Sequence, residues 1–265
     1  MKNNNYTLIT GGSYGIGLAI ATQFAKHGHN LLLVARNKEN LLNAASTISK
    51  AYNVDIKVFA IDLTAQKACK ELFTYCEKEK INIDILINNA GFGNYGFFAE
   101  TDSDTDENLI QLNITVPTTL TKLILPTMIK NKKGHILNVG SMASFFPGPF
   151  MNTYFSSKAY ILSFSEALRE ELKPTGVKVS CLCPGPTESK FGDRCNYEYS
   201  NHNSIKMTAK TVAHITYNAM KKNKSIIIPG WKNKLLFHIR KLIPRSIRPW
   251  LVKYSSGYSK YEISC

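Results

Sequence analysis

Short apolar runs alternate with longer amphipathic stretches along most of the 265-residue chain, and this alternation limits its fold more than any other feature. The runs fall at 6–10, 30–35, 56–61, 83–88, 135–140, 177–183 and 225–228, and helical periodicity occupies 15–28, 38–52, 65–80, 113–131, 152–173 and 208–222. Strands that alternate with helices in this way build βαβ units and a parallel sheet. The run Leu31-Leu32-Leu33-Val34 has no polar alternation, as expected of a strand covered on both faces. The sequence therefore predicts an α/β fold with a doubly wound parallel sheet, three layers deep. A composition of 44% hydrophobic and 20% charged residues suits a packed core and argues against disorder. No internal repeat or low-complexity segment interrupts the pattern. Pro229-Gly230 closes the last strand, so 1–230 is read as one domain and 231–265 as a separate segment.

The first strand runs directly into Thr10-Gly11-Gly12-Ser13-Tyr14-Gly15-Ile16-Gly17, which opens the first helix. Glycines at this junction let the backbone turn sharply and come close to a pyrophosphate seated on the helix N-terminus. This placement points to a dinucleotide. An NAD-binding chain places an acidic residue about 20 residues further on, where it holds the ribose 2′-hydroxyl. Here the second strand ends Val34-Ala35-Arg36-Asn37, with no acid. The Arg36 fork suits a 2′-phosphate, so NADP(H) is expected ahead of NAD(H), with Ser13 beside it.

Tyr154-Phe155-Ser156-Ser157-Lys158 begins a helical stretch, and a spacing of i to i+4 puts Tyr154 and Lys158 on one face. A free tyrosine titrates near 10, about three units above neutrality, and a neighbouring ammonium favours its phenolate. The pair follows Ser141, which ends the fifth strand.

With these pieces in order, the chain resembles the short-chain dehydrogenase/reductase family in its compact, Rossmann-like form. The matching elements are the 10–17 turn, Asp62-Leu63, Asn88-Asn89-Ala90-Gly91, Asn113, Ser141, Tyr154 with Lys158, and Pro184-Gly185. They span roughly residues 5–230, the dinucleotide-binding and catalytic domain. The resemblance implies hydride transfer between a nicotinamide and a carbonyl or alcohol. In that reading Tyr154 gives or takes the proton. Lys158 lowers the Tyr154 pKa and binds the nicotinamide ribose, Ser141 polarises the oxygen, and Asn113 supports a water relay toward Lys158. Asp62 and Leu63 would lie against the adenine, and Asn89, Ala90 and Gly91 along the middle of the cofactor. The turn departs from many NADP-dependent members at Tyr14, where they carry a basic residue. Beyond Pro184-Gly185 the hydroxyl that binds the carboxamide is either Thr187 or Ser189. Two non-enzymatic readings stand beside the enzyme: an NADP-binding regulator, and a membrane-associated scaffold. The intact Asn113, Ser141, Tyr154 and Lys158 set opposes the regulator.

The net charge of +14 is concentrated at one end. Residues 1–198 hold 20 Lys/Arg against 18 Asp/Glu, whereas residues 199–265 hold 13 against the single acid Glu262. Within 231–253, Leu235, Leu236, Ile239, Leu242 and Ile243 recur at helical spacing opposite Lys234, His238 and Lys241, and Pro244 and Pro249 break the helix. Three readings fit: a helix packed on the core or a subunit interface with its basic face in water, a contact with an anionic membrane, or nucleic-acid binding. No recognised nucleic-acid module accompanies the charge, so no nucleic acid is expected. Phe145, Phe146, Phe150, Phe191, Tyr197 and Tyr199 suggest a bulky apolar substrate, acyl or sterol-like. The six cysteines form no CxxC pair, so buried thiols are expected, with no metal and no disulfide framework. The absence of a long apolar run or a leader pattern suggests a cytoplasmic protein, and the family resemblance suggests a homo-oligomer.

Overall fold

The computed structural model describes residues 4–189, 191, 195 and 206–255. Among these, β1 (Asn5–Thr10), β2 (Asn30–Ala35), β3 (Ile56–Ala60), β4 (Asn82–Asn88), β5 (Gly134–Val139), β6 (Val177–Leu182) and β7 (Ile226–Ile227) form one parallel sheet in the order β3-β2-β1-β4-β5-β6-β7. The helices are α1 (Gly15–Ala25), α2 (Lys38–Ala51), α3 (Ala68–Lys78), α4 (Ser103–Ile110), α5 (Val116–Lys130), α6 (Asn152–Glu171), α7 (Ala209–Lys221), α8 (Trp231–Ile239) and α9 (Arg248–Ser255).

Alternate side chains of each strand enter different cores. Leu8, Leu32, Leu86 and Ile136 pack on one face with Leu72 of α3 and Leu120 and Ile124 of α5. Ile9, Leu31, Leu33, Ile87 and Leu137 pack on the other with Ile20 and Phe24 of α1 and Val212 of α7. Both faces are dry, so both sets must be apolar, and the strand sequences read as continuous runs. The fold is the expected three-layer, Rossmann-like arrangement.

The structure departs from the sequence expectation at three places. Helix α4 is unexpected because its stretch is polar and acid-rich. It forms because the Asp102 carboxylate accepts the Thr105 N–H at 2.8 Å and Asp104 and Asp106 lie near the positive end of the helix. The helix expected over 113–131 is preceded by a wide π-type turn, Gln111–Thr115, and regular α-geometry begins only at Val116. In the tail, Pro249 does not break a helix. It occupies the first turn of α9, where its missing N–H removes no intrahelical bond.

The strand order reverses between β1 and β4, and the crevice beyond the strand ends at such a point is where α/β sheets bind ligands. Leu86 tests the central packing. We expect Leu86→Ala to lower unfolding free energy by about 3–5 kcal/mol in urea titration. The same change at exposed Leu42 should cost no more than about 0.5 kcal/mol.

Candidate active site

The glycine-rich turn sits in the crevice because its backbone takes shapes that side chains disfavour. Gly11 and Gly15 have φ of +66° and +53°, and a Cβ on Gly17 would lie 2.2 Å from the Gly11 carbonyl oxygen. Ser13 and Tyr14 complete the turn, and Ile16 leans on the core of α1. No side chain caps α1 at Tyr14, so the first-turn N–H groups keep the positive end of the helix open toward the crevice. Asn89 ties the end of β4 to this turn by donating from Nδ2 to the carbonyls of Thr10 at 2.9 Å and Gly11 at 3.2 Å. The Thr10 hydroxyl accepts the N–H groups of Asn89 and Ala90, both at 3.0 Å. The uncapped N-terminus of α1 suits the pyrophosphate of a dinucleotide, and a Cβ at Gly11 or Gly17 would crowd the Asn89 and Gly11 atoms that shape this turn.

At the far edge of the cradle, the Arg36 guanidinium at the end of β2 lies 3.6 Å from the Asp62 carboxylate, with its side chain 70% exposed. Burial opposes ionisation of Asp62. The Thr64 N–H and hydroxyl, together with Arg36, outweigh it and hold the carboxyl below its usual range. Leu63 is buried beneath this pair. The sequence patterns brought Arg36 and Asp62 to the same cofactor but did not show that they meet each other.

The Tyr154–Lys158 pair is buried, at 9% and 6% exposure, near the start of α6. The Lys158 ammonium donates to the Val139 carbonyl at the end of β5, at 2.9 Å, and stands 5.7 Å from the centre of the Tyr154 ring. The buried thiols Cys181 and Cys183, whose sulfurs are 3.8 Å apart, also act on its charge. Desolvation, with no carboxylate partner among the described residues, pushes the lysine pKa down to about 8, against a weak opposing pull from the two thiols.

Asn113 lies in the π-type turn, a distortion that recurs at functional sites. Its amide donates to the Phe92 carbonyl at 2.9 Å and to the Ser157 hydroxyl at 3.0 Å, and its oxygen accepts the Phe92 N–H. A Cβ on Gly91 would be 2.8 Å from Asn113 Oδ1 and 3.4 Å from Lys158 Nζ, so both groups converge on this glycine. Ser141 caps the short 3-10 turn Met142–Phe145, accepting the Ala143 N–H at 3.1 Å. Met142 N–H donates to the Pro184 carbonyl, which joins this turn to the end of β6. Gly185 is overlain by Asn233 of α8, the Thr187 hydroxyl donates to the Gly185 carbonyl at 2.9 Å, and Ser189 lies against Gly15. Ser189 therefore reaches the glycine turn, while Thr187 turns back on its own loop. Sequence patterns missed Ser157 and Asn233. Ser157 stands inside the Tyr154–Lys158 stretch and offered a signal, but Asn233 did not.

The expected aromatic lining divides. Phe191 packs on Tyr154 with ring centres 5.2 Å apart, joined there by Phe92, Tyr95, Met151 and Phe155. Phe145 belongs elsewhere: it is buried with Ile161 and Cys183, and Phe146 packs against that same core. Phe150 faces Tyr95. Tyr197, Tyr199 and Cys265 lie outside the described residues. Among the described residues the cysteines are buried free thiols, no group of His, Cys, Asp and Glu could hold a metal, and no helix is long and apolar enough to cross a membrane.

A doubly wound sheet with a glycine cradle at its switch point, facing a buried tyrosine–lysine pair, defines a dinucleotide-binding α/β protein. Residues 5–199 match the short chain dehydrogenase family, and the chain belongs to that family. A very-long-chain 3-oxoacyl-CoA reductase of Coprinopsis cinerea is 37% identical over 182 residues, which are 67% of this chain and 53% of that protein. The chain thus spans about half the length of that relative. Hydroxysteroid dehydrogenase-like protein 1 of Gallus gallus is 30% identical across 96% of this chain and 76% of its own. Among solved structures, a short-chain dehydrogenase from Sphingobium yanoikuyae in complex with NADPH has 29% identity and a TM-score of 0.81, covering 89% of this chain and 94% of that one. A bulky-bulky ketone specific alcohol dehydrogenase from Comamonas testosteroni has 31% identity and a TM-score of 0.77, covering 91% and 94%.

The buried ammonium sets a pH dependence with a definite sign. Lys158 has its pKa lowered from 10.5 to about 8 on folding, so below 8 the folded chain carries the full cost of a desolvated charge. Between about 8 and 10.5 the unfolded chain holds the proton that the folded chain has lost, and the cost fades as pH rises. In the nucleotide-free protein, Lys158→Met should therefore be more stable than the parent at pH 7, by about 1–3 kcal/mol. Thermal melts across the pH range should show this advantage shrinking above pH 8. A constant or growing gap would contradict the assignment.

Proposed function

We propose that this chain is an NADP(H)-dependent carbonyl reductase, or alcohol dehydrogenase in the reverse direction, acting on a bulky apolar substrate of acyl or sterol-like character. The observation that carries the reading is the buried Lys158 ammonium, held by the Val139 carbonyl beside Tyr154 and converging with Asn113 on Gly91. Gly11, Ser13, Tyr14, Gly15, Ile16 and Gly17 would hold the pyrophosphate, and Asp62 and Leu63 the adenine. Asn89, Ala90 and Gly91 would line the middle, with Pro184, Gly185, Thr187 and Ser189 at the nicotinamide end. Ser189 is the better placed of the two hydroxyls. When bound, the nicotinamide supplies or takes up the hydride.

The chain's own groups manage the oxygen and its proton. Tyr154 gives its phenolic proton to the substrate oxygen, or takes it back in the oxidising direction. Lys158 keeps a positive charge beside that ring, where low dielectric strengthens its field. Ser141, held by its own cap, polarises the oxygen so that developing charge meets a donor already in place. Asn113, fixed by Phe92 and Ser157, supports the water path that restores the proton through Lys158.

The preference for NADP(H) is supported by Arg36, mostly exposed at the end of a strand that offers no carboxylate to a ribose diol, and by the NADPH complex of the Sphingobium relative. A bulky apolar substrate is supported by the Phe92, Tyr95, Met151, Phe155 and Phe191 cluster around Tyr154. The names of the Coprinopsis and Comamonas proteins, a long-chain acyl reductase and a bulky-ketone dehydrogenase, agree with it. Exposed Ile110, Ile129 and Tyr160 on α4, α5 and α6 favour assembly into a homo-oligomer. The catalytic unit is assigned to 1–230, with 231–265 as an appended segment.

Two variants test this proposal. Tyr154→Phe should keep NADPH binding, read by fluorescence titration, while turnover falls at least about 100-fold; near-parental turnover would remove Tyr154 from its role. Arg36→Asp should raise the KM for NADPH at least about tenfold and leave NADH use no worse. An unchanged NADPH KM would contradict the cofactor assignment.

A further inference from the structure

The surface that stands out beyond the active site is the C-terminal pair α8 and α9. The stretch formed by α8 and the 3-10 turn Arg240–Leu242 that follows it has three distinct faces. Asn233, Phe237 and Arg240 are its half-buried positions: Asn233 donates to the Pro229 carbonyl at 2.7 Å and lies on Gly185, and Phe237 meets the Phe145 ring at 4.8 Å. The Arg240 guanidinium sits over both rings, 4.6 Å from Phe145 and 4.0 Å from Phe237. The sequence left open which way the apolar stripe points, and in the structure it faces out. Trp231 and Leu242 are 71% and 84% exposed, and Leu235, Leu236 and Ile239 between them are exposed as well. Ile247 and Trp250 extend this apolar surface into α9, with Trp250 61% exposed. Lys234, His238 and Lys241 form the third face, along one flank.

We propose that this outward face docks the protein on an anionic lipid bilayer and sets the mouth of the Tyr154 site against it. Exposed tryptophan and leucine among lysines and arginines are what an interfacial helix presents to lipid: apolar groups enter the acyl boundary while cations meet anionic headgroups. Residues 231–253 contain seven Lys/Arg and no Asp/Glu. Lys232, Lys234, Lys241, Arg245 and Lys253 are exposed, and among the described residues none pairs with a carboxylate. The same charge count argues against a second copy of the chain as the occupant, because two such faces would bring like charges together with nothing to neutralise them.

The docking face is also joined to the site. Arg240 and Phe237 rest on Phe145 in the turn that Ser141 caps, Asn233 covers Gly185, and the Lys253 ammonium is 5.7 Å from the ring of Phe150. Phe150 lies in the loop that leads into Tyr154, and its carbonyl accepts the Gly96 N–H at 2.9 Å. A bilayer held by α8 and α9 would border the loops that flank the tyrosine, so an apolar substrate would arrive from lipid. Docking stands on this surface alone; delivery of substrate rests on the function proposed above.

Co-sedimentation of the full chain with phosphatidylcholine vesicles, and with vesicles that also contain phosphatidylserine, tests the docking. We expect binding to the mixed vesicles at least about tenfold tighter than to phosphatidylcholine alone, weakening in high salt. The triple change Leu235→Glu, Ile239→Glu and Leu242→Glu, all at exposed positions, should abolish vesicle binding with the melting temperature unchanged. Turnover of a small water-soluble ketone should also persist in that variant. Equal binding to both vesicle types, or retention of binding by the triple variant, would overturn the proposal. So would a dimer in sedimentation velocity that the triple change dissolves while parental vesicle binding is absent. If the parent docks but turns over no carbonyl, docking survives and the catalytic reading falls.

Discussion

The Lys158 ammonium, buried beside Tyr154 and held by the Val139 carbonyl, ties together the parts of the molecule that matter for its chemistry. The bond joins α6 to the end of β5, two residues before Ser141. The same ammonium converges with Asn113 on Gly91, two residues beyond Asn89, which ties the end of β4 to the glycine turn. A charge in this position costs stability, since among the described residues no carboxylate pairs with it and burial lowers its affinity for the proton. A fold that keeps such a charge has a use for it, and strongly perturbed groups in a crevice mark functional sites.

The sheet was legible in the sequence because its central strands are covered on both sides, so Leu31 through Val34 could not be mistaken for a half-exposed strand. The glycine turn was legible for a related reason: Gly11, Gly15 and Gly17 occupy backbone shapes and contacts that a side chain would spoil. Tyr154 and Lys158 were legible through helical spacing. Helix α4 was not, because its stability comes from a cap and a few charges rather than an apolar stripe. The wide turn around Asn113 was also hidden, since one extra residue in a helical turn leaves little trace in the periodicity of a sequence.

In the C-terminal segment the sequence pattern showed the amphipathic composition but left open which face meets the core. The leucines and isoleucines do share a face of α8, but the core accepts Phe237, Asn233 and Arg240 instead. An arginine laid over two phenylalanine rings is a polar residue doing a packing residue's work, and hydropathy counts it on the wrong side. The consequence is an apolar surface left outside, beside the loops that enclose the tyrosine. That surface and the aromatic cluster around Tyr154 suit a substrate that is itself apolar.

The most direct test of the account is NADPH consumption by the purified chain against a graded panel: simple aldehydes and ketones, steroid ketones and long-chain 3-oxoacyl thioesters. The account predicts oxidation of NADPH in preference to NADH, with kcat/KM rising with the apolar bulk of the carbonyl substrate. No consumption across the whole panel, or a kcat/KM highest for the smallest aldehydes, would contradict it.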